Sequence, residues 1–305
     1  MDRKRTSGSR RWAAVVLAAA WLPGATGAQG VTAAPDADPA AALLAQHEAL
    51  SGEFAQSPFE QPLHVQSIEG AHESAGDVYG VVDHPIAVVV EAFSTPAHWC
   101  DTLILHLNVK YCRAGDGDLG NLLSVAIGGK RDKELSSASR IEFVYRIATS
   151  PPDYVDIVLE ARRGPLGTGN YLVELEAVRL DDERSFLHLR YSYTYGVRAR
   201  FAMRLYLATS GSGKVGFTTV DDADGAVPTL IRGVRGAIER NVMRYFLAID
   251  AYLDARSVPE PGRFAASLEL WFSATERYAR QLHELERDEY FAMKRREYLR
   301  QQPMP

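Results

Sequence analysis

The stretch Asp77-Val78-Tyr79-Gly80-Val81-Val82-Asp83-His84-Pro85 passes from a β-rich run to the start of a helix without a linker. Valine and tyrosine favour an extended, half-buried backbone, so residues 77–82 read as a strand. Asp83 then offers a capping carboxylate, and Pro85 lacks an N–H that a first helical turn would leave unbonded anyway. The helix expected next spans residues 86–93. Its Val88-Val89-Val90 run suits a strand equally well, and periodicity does not separate the two. Pro96 closes the segment in either case, within Ser94-Thr95-Pro96-Ala97-His98-Trp99.

Beyond Trp99, apolar or alternating runs cover residues 105–112, 122–127, 141–149, 154–161, 171–180 and 185–195. Asp116-Gly117-Asp118, Gly128-Gly129, Pro151-Pro152, Gly164-Pro165 and Asp181-Asp182 separate them at hairpin spacing, which predicts an antiparallel meander with no crossover helix. Residues 199–207 fit a helical stripe and a strand alternation at once. Their Ala, Met, Arg and Leu content favours helix, stopped by Ser210-Gly211-Ser212-Gly213 before a last strand at 215–220. After Pro228, Leu230, Val234, Ala237, Ile238, Val242, Tyr245, Ile249, Tyr252 and Leu253 recur at three- and four-residue spacing, the apolar face of a long helix. Pro259-Glu260-Pro261-Gly262 ends it. A second long helix is expected over 264–299, with Leu268, Trp271, Phe272 and Leu282 on its apolar side and mixed charge over 286–300.

The 305 residues are 46 % hydrophobic and 24 % charged, too apolar for a disordered chain. Residues 1–28 read as a secretion signal: a basic start, an apolar run from Trp12 to Leu22 too short for a permanent span, and small residues at Ala25-Thr26-Gly27-Ala28. This predicts a periplasmic or secreted protein. Without that segment 29 basic side chains face 38 acidic ones, a balance of −9 that argues against nucleic acid as a partner. In an oxidising compartment the pair Cys100 and Cys112 is expected to be bridged rather than free. Residues 29–69 read as an arm with a helical stretch around 41–54, residues 70–256 as the main domain, and residues 257–305 as a helical extension.

A strand, a short helical region, a meander and one long helix require a curved sheet that buries a face on that helix. This order, with Asp83-His84-Pro85, the 86–93 helix and then Thr95, Pro96 and Trp99, resembles the START and Bet v 1-like (SRPBCC, helix-grip) superfamily over about residues 70–256. The resemblance implies an α+β fold in which the sheet wraps the C-terminal helix around a cavity for a lipid, sterol, polyketide or other apolar molecule. Two features depart from the pattern: Ser94-Thr95 stand where an acid is usual, and the last segment adds a helix.

In Leu187-His188-Leu189-Arg190-Tyr191-Ser192-Tyr193-Thr194-Tyr195, alternation puts Leu187, Leu189, Tyr191, Tyr193 and Tyr195 on one face and His188, Arg190, Ser192 and Thr194 on the other. If the first face is concave, its rings make an apolar wall and its hydroxyls give directional contacts. Plain core packing accounts for such a stripe equally well. Phe143 and Tyr145 extend the wall, and Trp99 is placed to close one end. His98, His106 and His188 lack metal-helix spacing, and Gly211-Ser212-Gly213-Lys214 lacks the pattern of a phosphate loop, so neither metal nor cofactor is expected. Glu174, Glu176 and His283-Glu284 are expected on solvated faces. The function expected is binding of a hydrophobic small molecule, a lipid foremost, for carriage or sequestration. The alternatives are a cyclase or dehydratase using His106 or Tyr193 for proton transfer, and a non-catalytic envelope adaptor touching a protein or membrane surface through 263–300.

Overall fold

The computed structural model describes residues 38–115, 120–197, 200–201, 203, 213–220 and 229–302. The expected signal segment and most of the 199–207 helix lie outside these residues. Helices α1 (Pro39–Ala49) and α2 (Ser51–Ala55) precede a hairpin of β1 (Leu63–Glu69) and β2 (Glu73–Val82). Helices α3 (Ile86–Phe93) and α4 (Pro96–Leu103) lead into the meander β3 (Val109–Ala114), β4 (Leu122–Ile127), β5 (Ser139–Thr149), β6 (Tyr154–Arg163), β7 (Thr168–Arg179) and β8 (Ser185–Tyr195). A short ribbon of β9 (Thr219–Val220) and β10 (Thr229–Leu230) precedes the long helix α5 (Gly233–Ala255). Helices α6 (Arg263–Glu276), α7 (Ala279–Leu282) and α8 (Arg287–Gln301) follow.

The eight large strands form one antiparallel sheet in the order β1-β2-β8-β7-β6-β5-β4-β3, and one core cluster joins its inner face to α5. This is a helix-grip α+β fold. The grip is tightest at the β2 end, where side chains give way to hydrogen. Gly76 and Gly80 face α5, and a Cβ on Gly80 would come within 2.5 Å of the Phe246 ring. Glycine there allows helix and sheet to meet almost backbone to side chain.

The arm expected over 29–69 contributes β1, so the boundary at residue 70 falls inside the β1–β2 hairpin. Its inward positions are Leu63, Val65 and Ser67, and the last is polar because Ser67 donates to the buried Glu239 carboxylate of α5 at 2.6 Å. Glu239 also accepts from the backbone N–H groups of Phe217 and Thr218, at 2.7 and 3.0 Å, and from the Thr218 hydroxyl at 2.8 Å. The segment after residue 213 is held by these bonds and by a short ribbon: of the expected 215–220 strand, Thr219–Val220 pair with β10, and Gly216 and Thr218 bond the backbone of Ile231 at 2.7 and 2.8 Å.

Two further expectations are corrected. Pro96 does not merely end a helix: it opens α4 with Thr95 as its cap, and the apolar run 105–112 begins as tight turns before β3 starts at Val109. The helix expected over 264–299 is three helices, with breaks at Tyr278 and between residues 283 and 286. The second break carries Glu284 inward, where it accepts from Lys130 and from Arg244 (3.0 Å) and pairs with Lys214 (3.5 Å). His283 and Glu284 are therefore not a helix face in solvent.

The charged run of α8 likewise turns inward in part. Lys294, fully buried, donates to the carbonyls of His106 and Val109 at 2.7 and 2.8 Å and to Glu297 at 2.7 Å, while Lys110 lies 3.1 Å from the same carboxylate. These bonds replace the lost hydration of the charges. Trp271 of α6 donates to the Arg244 carbonyl at 3.0 Å and stacks on Tyr290 of α8. The apolar residues of this segment thus pack on their own chain. Cys100 of α4 and Cys112 of β3 form a disulfide with Cα atoms 5.2 Å apart.

Candidate functional site

Next to the glycine strand, over β8 and β7, the sheet and α5 part around an open cavity of about 520 Å3. Tyr171 of β7, Tyr191 and Tyr193 of β8, and Ile238, Asn241 and Tyr245 of α5 line it, with Asn108, Ile127, Pro165, Leu166, Thr168, Ala237 and Met203 completing the wall and mouth. The register explains the gathering. Val173 pairs with Tyr191 across β7 and β8, so Tyr171, two positions before Val173, falls on the same face as Tyr191 and Tyr193. Tyr171 and Tyr193 stack with centroids 5.4 Å apart, and Tyr191 lies 5.6 Å from Tyr245.

The hydroxyls give this apolar wall its polarity. Tyr171 shares a 2.8 Å hydrogen bond with Thr168, and the Asn241 side chain hydrogen-bonds Tyr191. Burial pushes the phenols of Tyr171, Tyr191, Tyr193 and Tyr245 above their ordinary range, so they are protonated donors at any physiological pH. Beneath them the interior closes: Leu103, Val125, Phe143, Leu159 and Val173 surround a residual void of about 10 Å3, too small for any guest.

Of the residues singled out from sequence, Tyr191 and Tyr193 line the cavity and Phe143 forms its packed floor. Trp99 is buried against Phe93, and its indole N–H donates to the Phe93 carbonyl at 3.2 Å. Tyr145 donates to that same carbonyl at 2.9 Å, and burial pushes its phenol up to about 12. Leu189 is core, while Tyr195 donates to Gly70 at 3.0 Å and so pins the β1–β2 turn. The cavity does not include these four. Tyr171 and Tyr245 were legible only as one strand position and one helix-stripe position; their convergence depends on β7–β8 pairing and on how α5 is rotated.

His106 sits behind the cavity, its ring stacked on Tyr245 with centroids 4.4 Å apart. Its Nδ1 accepts from the Asn108 N–H at 3.1 Å, which leaves the proton on Nε2. Burial, with the nearby charges of Arg244, Lys294, Lys130 and Lys110, holds its pKa well below the usual imidazole value. It is a neutral ring that fixes Tyr245.

On the outer face of the same strands lies a second polar cluster. His188 bonds Glu176 through Nδ1 at 2.8 Å and Asp77 through Nε2 at 3.0 Å; Arg190 donates to Asp77 at 2.9 Å, and Tyr154 donates to Glu176 at 2.5 Å. Glu176 is thus held in a network, not solvated as its place on the strand suggested. Glu174 beside it is also half-buried, and burial raises its pKa. Burial opposes charge on His188, but its bonds to Asp77 and Glu176 prevail and raise its pKa to about 9. A histidine bonded to carboxylates at both nitrogens is an imidazolium tie, not a free base. Tyr79 stacks flat on it at 4.3 Å, and Leu43 and Leu50 of α1 and its cap join Tyr79, Tyr154, Val178 and Phe186 in an apolar cluster on this face.

A larger recess of about 1040 Å3 also opens on the outer face, but Arg140, Arg162, Arg190, Glu73, Glu142 and Glu160 line it with nearly balanced charge. An apolar wall with a few convergent donors is the better binding geometry, so the smaller inner cavity is the candidate site.

No family model matches the sequence, and comparison with curated proteins finds no match. Similar solved structures include a START superfamily protein from Mycobacterium smegmatis, 10% identical, covering 47% of this chain and 90% of that one at a TM-score of 0.31. Another is the Zhui aromatase/cyclase from Streptomyces sp. R1128, at 12% identity, 70% and 96% coverage and a TM-score of 0.32. Truncated norcoclaurine synthase from Thalictrum flavum, at 14% identity, covers 48% of this chain and 89% of its own at a TM-score of 0.31. Assignment of the site rests on its own residues. In the order of its strands and helices the chain has a helix-grip α+β fold.

Proposed function

We propose that the chain binds an amphipathic, mainly apolar small molecule, with lipids the leading class, in the cavity between the sheet and α5, and carries or sequesters it. The observation that supports this reading most is the convergence of four protonated tyrosines from β7, β8 and α5 on a void left open among the described residues. The volume suits a guest of drug size or a folded acyl chain. Donors of this kind hold a carbonyl, hydroxyl or ester oxygen, while the rings take the hydrocarbon. The signal expected in residues 1–28 would put this binding in the periplasm or outside the cell.

Native mass spectrometry of the gently purified chain tests the reading. The wild type should carry a co-purifying apolar molecule that denaturation releases. Ala237→Trp, which places an indole at a half-buried lining position, should fold and come out empty. A wild type that is empty and takes up nothing from a lipid extract would end this proposal.

A further inference from the structure

The cavity mouth carries the most exposed apolar side chains described. Leu166 and Val197 are each 78% exposed and Phe201 is 71% exposed. The backbone presents them together. Leu166 and Gly167 hold φ at 57° and 80°, a left-handed turn that the chain adopts between β6 and β7. Gly196 donates to the Gly167 carbonyl at 3.3 Å, so Leu166 and Val197 flank one backbone hydrogen bond where β7 begins and β8 ends. Arg200 N–H donates to the Gly196 carbonyl at 3.0 Å, and the four-residue spacing of Val197 and Phe201 sets them on one side of that helical turn. Leu166 and Met203 also line the cavity, so these tips are its rim. Arg162 and Arg163, both exposed, end β6 beside the turn, and Arg200 reaches the Ala71 carbonyl at 3.5 Å.

We propose that this rim docks on a phospholipid bilayer containing anionic headgroups, with Leu166, Val197 and Phe201 entering the interface and Arg162 and Arg163 meeting the headgroup charge. Three protruding side chains offer on the order of a few hundred Å2, well short of the roughly 1,000 Å2 a stable protein interface needs. A bilayer interface asks for no matching surface, only for apolar tips beside cations. The use of such docking, to collect or deliver the cavity's guest, rests on the binding function proposed above; the docking itself does not.

Co-sedimentation of the purified chain with vesicles of equimolar phosphatidylcholine and phosphatidylglycerol tests it. The wild type should sediment with them, more weakly in high salt and on pure phosphatidylcholine. The triple variant Leu166→Asn, Val197→Ser, Phe201→Ser, in which Asn suits the left-handed turn, should lose about tenfold or more of this binding. Arg162→Glu with Arg163→Glu should weaken binding to the mixed vesicles alone. The proposal is overturned if the wild type ignores the mixed vesicles, if the triple variant binds them as well as wild type, or if light scattering shows a wild-type dimer that the triple variant abolishes. Native mass spectrometry and co-sedimentation of the double variant Val197→Ser, Phe201→Ser, which leaves every lining residue of the cavity in place, separate the two ideas. A retained guest with lost vesicle binding supports docking, whereas an empty wild type that still binds vesicles refutes the cavity reading and leaves docking intact.

Discussion

Neighbouring strands of the grip differ in what stands between sheet and helix. Along β2, Gly76 and Gly80 let Ile238, Val242 and Phe246 of α5 pack against the strand itself. Over the adjacent β8 and β7 the cavity-facing strand positions are tyrosines, and the helix answers with Tyr245 and Asn241 beside Ala237 and Ile238. Rings hold two packed surfaces apart where glycines let them close. One helix on one sheet thus packs solidly against β2 and leaves an open chamber over the neighbouring β8 and β7, and the composition of single strands sets which is which.

Changes on the packed side should be the costlier. Gly80→Val drives side-chain atoms into the buried Phe246 ring and should lower the unfolding free energy in urea by about 3 kcal/mol; a near-neutral result would show that the helix is free to lift there. Glu239→Ala strands the buried N–H of Phe217 and the half-buried N–H of Thr218 and should lose about 2–3 kcal/mol, with earlier proteolysis of the 213–220 segment as a second readout.

The tie on the back of the sheet gives a pH signature. The folded pKa of His188, about 9, stands above the ordinary 6.5, so its contribution is complete below pH 6.5 and is lost as pH rises towards 9. Stability should fall by about 2–3 kcal/mol across that window, and His188→Gln should flatten the fall. A slope that persists in the variant would place its origin elsewhere. The smallest effect belongs to the open side: Ala237→Trp should change stability by less than about 1 kcal/mol although it occupies the chamber.

Much of the frame was legible, because a strand with one buried face and a helix with one apolar stripe write their periods into the sequence. Residues 122–127, 185–195 and 86–93 have the bounds read from pattern alone. Alternation failed where tertiary partners decide. The run 105–112 is apolar throughout, so nothing local marks the turns after Leu103, while Ser67 hides β1 because its partner, Glu239, is remote in sequence. Lys294 and Glu297 look like a solvated helix surface until Lys110 and two carbonyls are placed around them. In the site, the tyrosines of β8 announced themselves by alternation, but their partners Tyr171 and Tyr245 did not. His188 and Arg190 were assigned to the opposite face correctly, though only the register reveals that Asp77 lies between them.

The chamber can be probed ring by ring. With 13C-labelled tyrosine, titration of the apolar probe N-phenyl-1-naphthylamine should shift the ring signals of Tyr171, Tyr191, Tyr193 and Tyr245 together and leave Tyr145 and Tyr154, which lie outside the chamber, in place. Unmoved signals from those four rings at saturating probe, or shifts confined to Tyr145 and Tyr154, would contradict an accessible space between the sheet and α5.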